Sequence, residues 1–329
     1  MNAPSPSVLV SVVVPTYRRP DLLARCLQAL LAQEFPPDSY EILVCDDAAS
    51  ADTRRQVQAC DATDTGGPPV RYLAAEGTRG PAAARNLGWR SARGCIIAFT
   101  DDDTIPAPDW LAQGVLALRP GVQAAAGCTE MPIPPVPTDY ERDAAGLTRA
   151  EFITANCFVR RGALEEVGGF DPRYTMAWRE DSDLFFALLE RGLEVVRAPN
   201  ARVLHPVRPA PFAVGLRMQK KVMFDVLLYR KHPKLYRARV RKGPPWFYLS
   251  VVVSLLAALL AALAGRWTAA AILGGIWLAL TVSFFVRRLR GVSHAPRHVA
   301  ELALTSAAIP LLSVGWRMVG VARYGARFP

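Results

Sequence analysis

The sequence predicts an α/β fold: a doubly wound, mostly parallel sheet followed by an α-helical transmembrane region. Three observations carry that expectation. Short apolar runs of strand length alternate with helical stretches through residues 8–206, the order that builds a parallel sheet with helices on both faces. Two of those runs end in carboxylates, Asp46-Asp47 and Asp101-Asp102-Asp103. Further on, Trp246–Leu263 and Trp267–Val286 are uncharged stretches of 18 and 20 residues, and each can span a bilayer at about 1.5 Å per residue.

In chain order, Val8–Val14 reads as a parallel strand closed by Pro15-Thr16-Tyr17. Asp21 opens a helix in which Leu23, Leu27 and Leu31 recur at four-residue spacing, with Cys26 and Leu30 alongside. Glu41–Cys45 is a second strand, and a polar helix spans about 52–60. A Gly66-Gly67-Pro68-Pro69 turn leads to a third strand, Val70–Leu73. The loop from Gly77 to Asn86 carries glycines and arginines into an Ala-rich helix. The apolar run Cys95–Phe99 then ends in Thr100 and the three aspartates.

Ligands of open α/β sheets bind at the C-terminal ends of the strands. Two acidic strand ends on one edge, with a Gly/Arg loop between them, therefore suggest a nucleotide site. Asp46 and Asp47 suit a base or ribose. Arg79 and Arg85 suit phosphate or base carbonyls, or surface ion pairs. The aspartate triplet fits either a solvated acidic turn or oxygen ligands for a hard divalent ion that in turn holds a phosphorylated substrate.

The set Val12-Val13-Val14-Pro15-Thr16-Tyr17, Val44-Cys45-Asp46-Asp47, Ala84-Arg85-Asn86 and Phe99-Thr100-Asp101-Asp102-Asp103 resembles the nucleotide-binding half of a family 2 glycosyltransferase. The resemblance covers about 8–206, with the motifs in the family's order. It departs at Ala48-Ala49-Ser50, where the family commonly has Gly before Ser. The resemblance implies the GT-A fold and inversion at the anomeric carbon. It implies donor binding by Pro15, Thr16, Asp46, Asp47, Arg79, Arg85, Asp101 and Asp102, with Asp47 on the base. It also implies that Asp101 and Asp103, as the ends of a DxD pattern, hold Mg²⁺ or Mn²⁺ against the diphosphate, where a metal stabilises the charge that develops on the leaving group. His205 joins the metal in some relatives; the bland alternative is a polar residue after a strand.

Beyond Trp110 a strand at Val122–Ala126 precedes the Pro-rich Met131–Pro137, which is barred from helix and central strand. It reads as an acceptor-side loop or a surface connection. Phe152–Val159 reads as a strand. Gly168-Gly169-Phe170-Asp171 matches a family turn that shapes the acceptor half. Arg179-Glu180-Asp181 opens a helix, where acids serve capping and the dipole. By resemblance this is the ED motif, with Asp181 as the general base and Glu180 as the alternative.

The net charge of +10 divides unevenly. Residues 1–216 balance to −6, residues 217–242 to +9 and residues 243–329 to +7. Because the basic block runs into apolar segments, it points to a membrane surface and not to nucleic acid. Six cysteines lie 15 or more residues apart without a CxxC pair, which excludes a small disulfide framework and fits reduced thiols. Met1–Pro6 lacks the charged n-region of a signal peptide. The expected domains are a cytosolic catalytic domain at 1–211, a basic amphipathic segment at 212–245, a transmembrane hairpin at 246–290, and a third hydrophobic segment at 291–329. In the amphipathic segment, 212–229 is read as one helix with Met218, Val222, Val226 and Tyr229 on its lipid side; a solvated linker is the alternative. In the last, Leu302–Trp316 is short and contains Pro310, so it spans, re-enters or lies in the interface, the latter two being favoured. Basic flanks on both sides of the hairpin set them on the cytoplasmic side of an inner membrane.

These readings combine into a multi-pass, metal-dependent inverting glycosyltransferase. It takes a nucleotide-sugar donor, with UDP favoured, and a lipid-linked or glycan acceptor of the cell envelope. The alternatives are a sugar nucleotidyltransferase and an inactive nucleotide- or sugar-binding membrane scaffold.

Overall fold

The computed structural model describes residues 8–61, 66–77 and 79–329; Met1–Pro6 and Thr78 of the glycine-bearing loop lie outside the described residues. The chain forms two compact units. The first comprises residues up to Pro132 together with Gly146–Pro206, and the second comprises Ile133–Ala145 together with Val207–Pro329.

The first unit begins with β1 (Val10–Thr16), every residue of which is buried. Helix α1 (Pro20–Leu31) follows with Pro20 in its first turn, where the missing N–H costs nothing, and it buries Leu23, Cys26, Leu27 and Leu30. Then come β2 (Tyr40–Asp46), α2 (Ala51–Ala59), β3 (Val70–Ala74), α3 (Pro81–Ser91), β4 (Ile96–Thr100), β5 (Ile105–Pro106), α4 (Trp110–Ala117) and β6 (Val122–Glu130). The chain leaves for α5 (Asp139–Ala144) of the second unit. It returns as β7 (Asn156–Arg160), α6 (Arg161–Val167), α7 (Glu180–Glu190) and β8 (Glu194–Leu204).

The eight strands form one sheet in the order β3-β2-β1-β4-β7-β6-β8-β5. Strands β3, β2, β1 and β4 are mutually parallel, as the strand–helix alternation requires, and β6 is parallel to β8. β7 runs antiparallel to both β4 and β6. No α/β crossover precedes it: the chain comes back from the excursion after β6 and enters from the opposite end. β7 starts at Asn156, later than the apolar run suggests. Phe152 is buried because it stacks on Phe185 of α7, with ring centroids 5.3 Å apart, and not because it pairs in the sheet. In the core, Trp110 packs against Phe158 at 4.8 Å, and its indole N–H donates to Asn156 Oδ1 at 2.8 Å.

The second unit contains α8 (Val214–Met218), α9 (Met223–Lys231), α10 (Pro233–Arg239), α11 (Trp246–Leu263), α12 (Trp267–Leu289) and α13 (Pro296–Tyr324). The stretch read as one helix over 212–229 is divided by a tighter turn at Gln219–Val222. Its apolar side is covered by protein: Met223, Phe224 and Val226–Leu228 are buried, with α9 packed on α13. Helices α11, α12 and α13, of 18, 23 and 29 residues, are long and apolar enough to cross a membrane. α13 continues through Pro310, which forfeits one backbone bond but is itself buried.

Candidate functional site

Parallel pairing sets Thr16 opposite Asp46 and Val13 opposite Phe99, so β1, β2 and β4 end at one edge of the sheet. The predicted site residues of the first unit gather there. Asp102 is buried; it accepts from Thr16 Oγ1 at 2.8 Å and from Arg19 Nη1 at 3.0 Å. Burial pushes its carboxyl up to about 6, aided by the neighbouring aspartates, while Arg19 and the Thr16 hydroxyl oppose that shift. Asp102 is thus the internal anchor of the triplet; Asp103 is buried too, 3.8 Å from Arg19 Nη1, and Asp101 is partly exposed.

β8 supplies the third element of this cluster. Its end pairs with β5, and His205 N donates to Glu130 O at 2.8 Å, which carries the imidazole to Asp103, with Nε2 3.5 Å from Oδ1. Asp101, Asp103 and His205 each offer a ligand atom within 4.8 Å of the others. His205 Nδ1 is buried without a hydrogen-bond partner among the described residues. Two carboxylates and an imidazole in this arrangement fit Mn²⁺, and with the hard oxygens Mg²⁺.

Arg85 joins this cluster to α7. Its guanidinium is buried; Nη2 donates to Asp101 Oδ1 at 2.7 Å and Nη1 to Glu180 Oε1 at 3.2 Å. Burial works against its charge, but the two carboxylates outweigh that and raise its pKa. The sequence reading offered phosphate, base or a surface ion pair for Arg85; here it is a buried ion-pair partner of two acids of the protein. The next residue, Asn86, holds the Gly-Gly-Phe-Asp turn: Nδ2 donates to Phe170 O at 2.7 Å, and Oδ1 accepts from Phe170 N and from Trp89 Nε1. A Cβ on Gly169, where φ is +72°, would lie 2.7 Å from Asn86 Oδ1 and Trp89 Nε1. Gly169→Ala is therefore expected to lower the thermal unfolding temperature, costing more than about 1 kcal/mol; unchanged melting would mean that the turn relaxes freely.

The two ED-motif acids differ in setting. Glu180 is buried against Arg85, and its Oε2 has no partner among the described residues. Asp181 is half-buried and accepts from its neighbour Ser182, from N at 2.6 Å and from Oγ at 3.3 Å. Burial raises both carboxyls; the Asp181 charge adds to the rise at Glu180, while the Ser182 bonds and the charges of Arg179 and Arg85 oppose the rise at Asp181. Arg179, which precedes them, has φ +75° and turns the chain into α7. Tyr174 OH donates to Asp183 Oδ1 at 3.1 Å, which ties the start of α7 to the preceding turn.

At the end of β2 the two aspartates also part company. Asp46 is fully buried, and its oxygens accept from Ala48 N (2.9 Å), Ser50 N (2.7 Å) and Tyr72 OH (3.0 Å). Both of its oxygens are engaged in shaping the loop. Ala49 sits in that loop at φ +49°, a backbone that glycine adopts without strain. Asp47 Oδ2 accepts from Gly80 N at 2.9 Å, while Oδ1 is buried without a partner among the described residues. Burial raises the Asp47 carboxyl; the Gly80 bond and the charge of exposed Arg79 act against that. Gly80 has φ +93°, and a Cβ there would meet Thr175 O at 2.6 Å, so the loop must carry glycine. Pro15 is buried within β1, beside Thr16. Sequence reasoning missed Arg19, Tyr72 and Tyr174; the Arg18-Arg19 pair just past β1 was the one visible signal among them.

Comparison with known proteins accords with this geometry. The family described as glycosyl transferase family 2 matches residues 11–168, and glycosyl transferase family group 2 matches residues 96–287. Glycosyltransferase AglE of Haloferax volcanii is 30% identical over 213 residues, 61% of this chain and 67% of the relative. The UDP-Glc:alpha-D-GlcNAc-diphosphoundecaprenol beta-1,3-glucosyltransferase WfgD of Escherichia coli is 34% identical over 104 residues, covering 32% of this chain and 37% of the relative. Among solved structures, the mannosyltransferase PcManGT from Pyrobaculum calidifontis, in complex with GDP-Man and Mn²⁺, superposes with a TM-score of 0.58 at 23% identity. That match covers 96% of this chain and 89% of the other. S. aureus TarS 1–349 in complex with UDP gives a TM-score of 0.51 at 15% identity, over 98% and 93% of the two chains. These likenesses show a sheet of GT-A type.

Proposed function

The chain belongs to glycosyl transferase family 2, and from that premise we propose that it transfers a sugar from a nucleoside diphosphate to an acceptor hydroxyl with inversion. The observation that carries the reading is the Asp101–Asp103–His205 cluster at the end of β4, joined through Arg85 to the carboxylates at the start of α7. Asp47 Oδ1 is suited to accept an N–H from the base, and a uracil imide is the favoured donor group. The GDP-Man and UDP bound in the similar solved structures, and the UDP-Glc donor named for WfgD, support a nucleotide-sugar donor.

Asp101, Asp103 and His205 would hold Mn²⁺ or Mg²⁺, which when bound neutralises charge on the leaving diphosphate. Asp181 takes the proton of the acceptor hydroxyl as the oxygen bonds to the anomeric carbon and the glycosidic C–O bond breaks. Its raised pKa makes it a better base than an ordinary surface aspartate, and it is less deeply buried than Glu180. Glu180, locked on Arg85, orients and does not react. Three candidate spanning helices and the basic C-terminal third support a membrane enzyme with a cytoplasmic catalytic domain and a lipid-linked or envelope-glycan acceptor.

Calorimetric titration of UDP and GDP into the detergent-purified full chain tests the donor half. Binding is expected with Mn²⁺ present and to weaken at least about tenfold with EDTA or in Asp103→Ala. A folded wild-type protein that binds neither nucleotide would overturn the proposal.

A further inference from the structure

We propose that α13, although long and apolar enough to cross a bilayer, lies in the plane of the membrane interface, and that only the α11–α12 hairpin crosses. The two sides of α13 differ in kind. One side carries small and apolar residues, exposed at Ala300, Leu304, Gly315, Met318 and Ala322 and part-buried between them at Ala308 and Leu311; Leu304 and Met318 are 50% and 53% exposed. The opposite side is covered from Glu301 to Tyr324 by the segment 213–231. Ala213 N donates to Glu301 Oε1, and Gly215 approaches Ile309. Lys220 Nζ sits 5.8 Å from the centre of the Trp316 ring, Asp225 pairs with Arg317 at 3.1 Å, and Arg230 donates to Tyr324 O.

This covering layer decides the orientation. It carries Arg217, Lys220, Lys221, Asp225, Arg230 and Lys231, and it follows α13 along most of its length. Were α13 to cross, those charges would be drawn into the hydrocarbon with it, where ionised side chains are strongly disfavoured. A helix with lipid-compatible residues on one side and a charged layer on the other belongs at the headgroup–acyl boundary.

The join to the hairpin agrees. Six residues, Arg290–Ala295, separate α12 from α13, so a helix folding straight back along α12 would set its first turn beside Arg288. Instead Arg288 Nη1 donates to Thr305 Oγ1 at 2.8 Å and Ser306 Oγ at 3.1 Å, about 14 Å into α13 at about 1.5 Å per residue. α13 therefore passes across the basic end of the hairpin. Away from that end, Leu260, Leu263, Trp267 and Ile272 are 62% to 85% exposed. At the start of α13, Asp139 pairs with Arg288 at 2.8 Å, and Asp139 N donates to His298 Nε2 at 3.0 Å. A charged segment is therefore fastened at this end as well.

The test is made on the full chain in native membrane vesicles of both orientations. One protein carries an epitope after Pro329, and a second carries it at the Gly265-Arg266 turn. The two epitopes are expected to be accessible from opposite sides; accessibility from the same side means that α13 crosses and overturns the proposal. In nanodiscs of phosphatidylethanolamine and phosphatidylglycerol, nitroxides on Leu304→Cys and Met318→Cys, in a Cys95→Ser background, measure depth. Both are expected at similar shallow depth beneath the headgroups. One label at the bilayer centre, or labels at widely different depths, would overturn it.

Discussion

Replacing Asp181 by asparagine is expected to lower sugar transfer by about 10²–10⁴-fold, the usual contribution of a positioned general base. The substitution keeps the shape and the bond from Ser182 but removes the proton acceptor. It touches neither Asp47 nor the Asp101–Asp103–His205 cluster, so affinity for UDP with Mn²⁺ should be unchanged. Glu180→Gln gives a different outcome. That acid is buried on Arg85, so its loss should act through stability and placement. The pH dependence distinguishes the two further. Transfer requires the Asp181 carboxylate, so activity falls as pH drops through its pKa. Because burial raises that pKa, the acid limb should lie above the range of an exposed aspartate. The limb belongs to the Glu180–Asp181 pair, since the Asp181 charge raises the adjacent Glu180 carboxyl and the two titrate together. Transfer retained at the wild-type rate by Asp181→Asn would remove Asp181 as base. It would also favour an acceptor that arrives already ionised, such as a phosphate.

What the sequence made legible was whatever local pattern determines. The alternation of β1, α1, β2, α2, β3, α3 and β4 fixed a sheet whose acidic strand ends share an edge, because parallel strands joined by helices cannot end elsewhere. The hairpin was legible from length and charge alone. The direction of β7 was not, since it depends on where the chain returns from its excursion. The division of work within acidic pairs was equally hidden. Asp46 and Asp47 are neighbours in sequence, yet one is consumed by Ala48, Ser50 and Tyr72 while the other keeps an oxygen open. The same holds for Glu180 and Asp181. Tyr72 reaches Asp46, Gly80 reaches Asp47 and Arg85 reaches Glu180 from elements far along the chain, and no spacing rule records these partners. The length of α13 was hidden for a related reason: the helix continues through Pro310, where packing tolerates one lost backbone bond that a solitary helix would feel more.

Arg85→Met is expected to lower the stability of the full chain by about 3–5 kcal/mol, because it leaves Glu180 buried beside Asp181 without its cation. In a unit of this size that corresponds to a fall in unfolding temperature on the order of 10 °C, readable by melting in detergent. Pairing it with Glu180→Gln should recover much of the loss, since the stranded charge is then gone; a double-mutant cycle measures the coupling. Nucleotide-linked Mn²⁺ affinity should not recover in the double variant, because Asp101 still lacks the donor that holds its Oδ1 at 2.7 Å. Arg85→Lys keeps a charge but not the planar fork that reaches two acids, so it should melt closer to wild type while still binding Mn²⁺ less tightly. Arg85 lies one residue before the asparagine that holds the Gly-Gly-Phe-Asp turn. Rotation of the start of α3 would therefore disturb the cluster at β4, the start of α7 and that turn together. If Arg85→Met melted at the wild-type temperature with its Mn²⁺ affinity intact, Arg85 could not be the cation these acids share, and the join between the two halves of the site would have to be sought elsewhere.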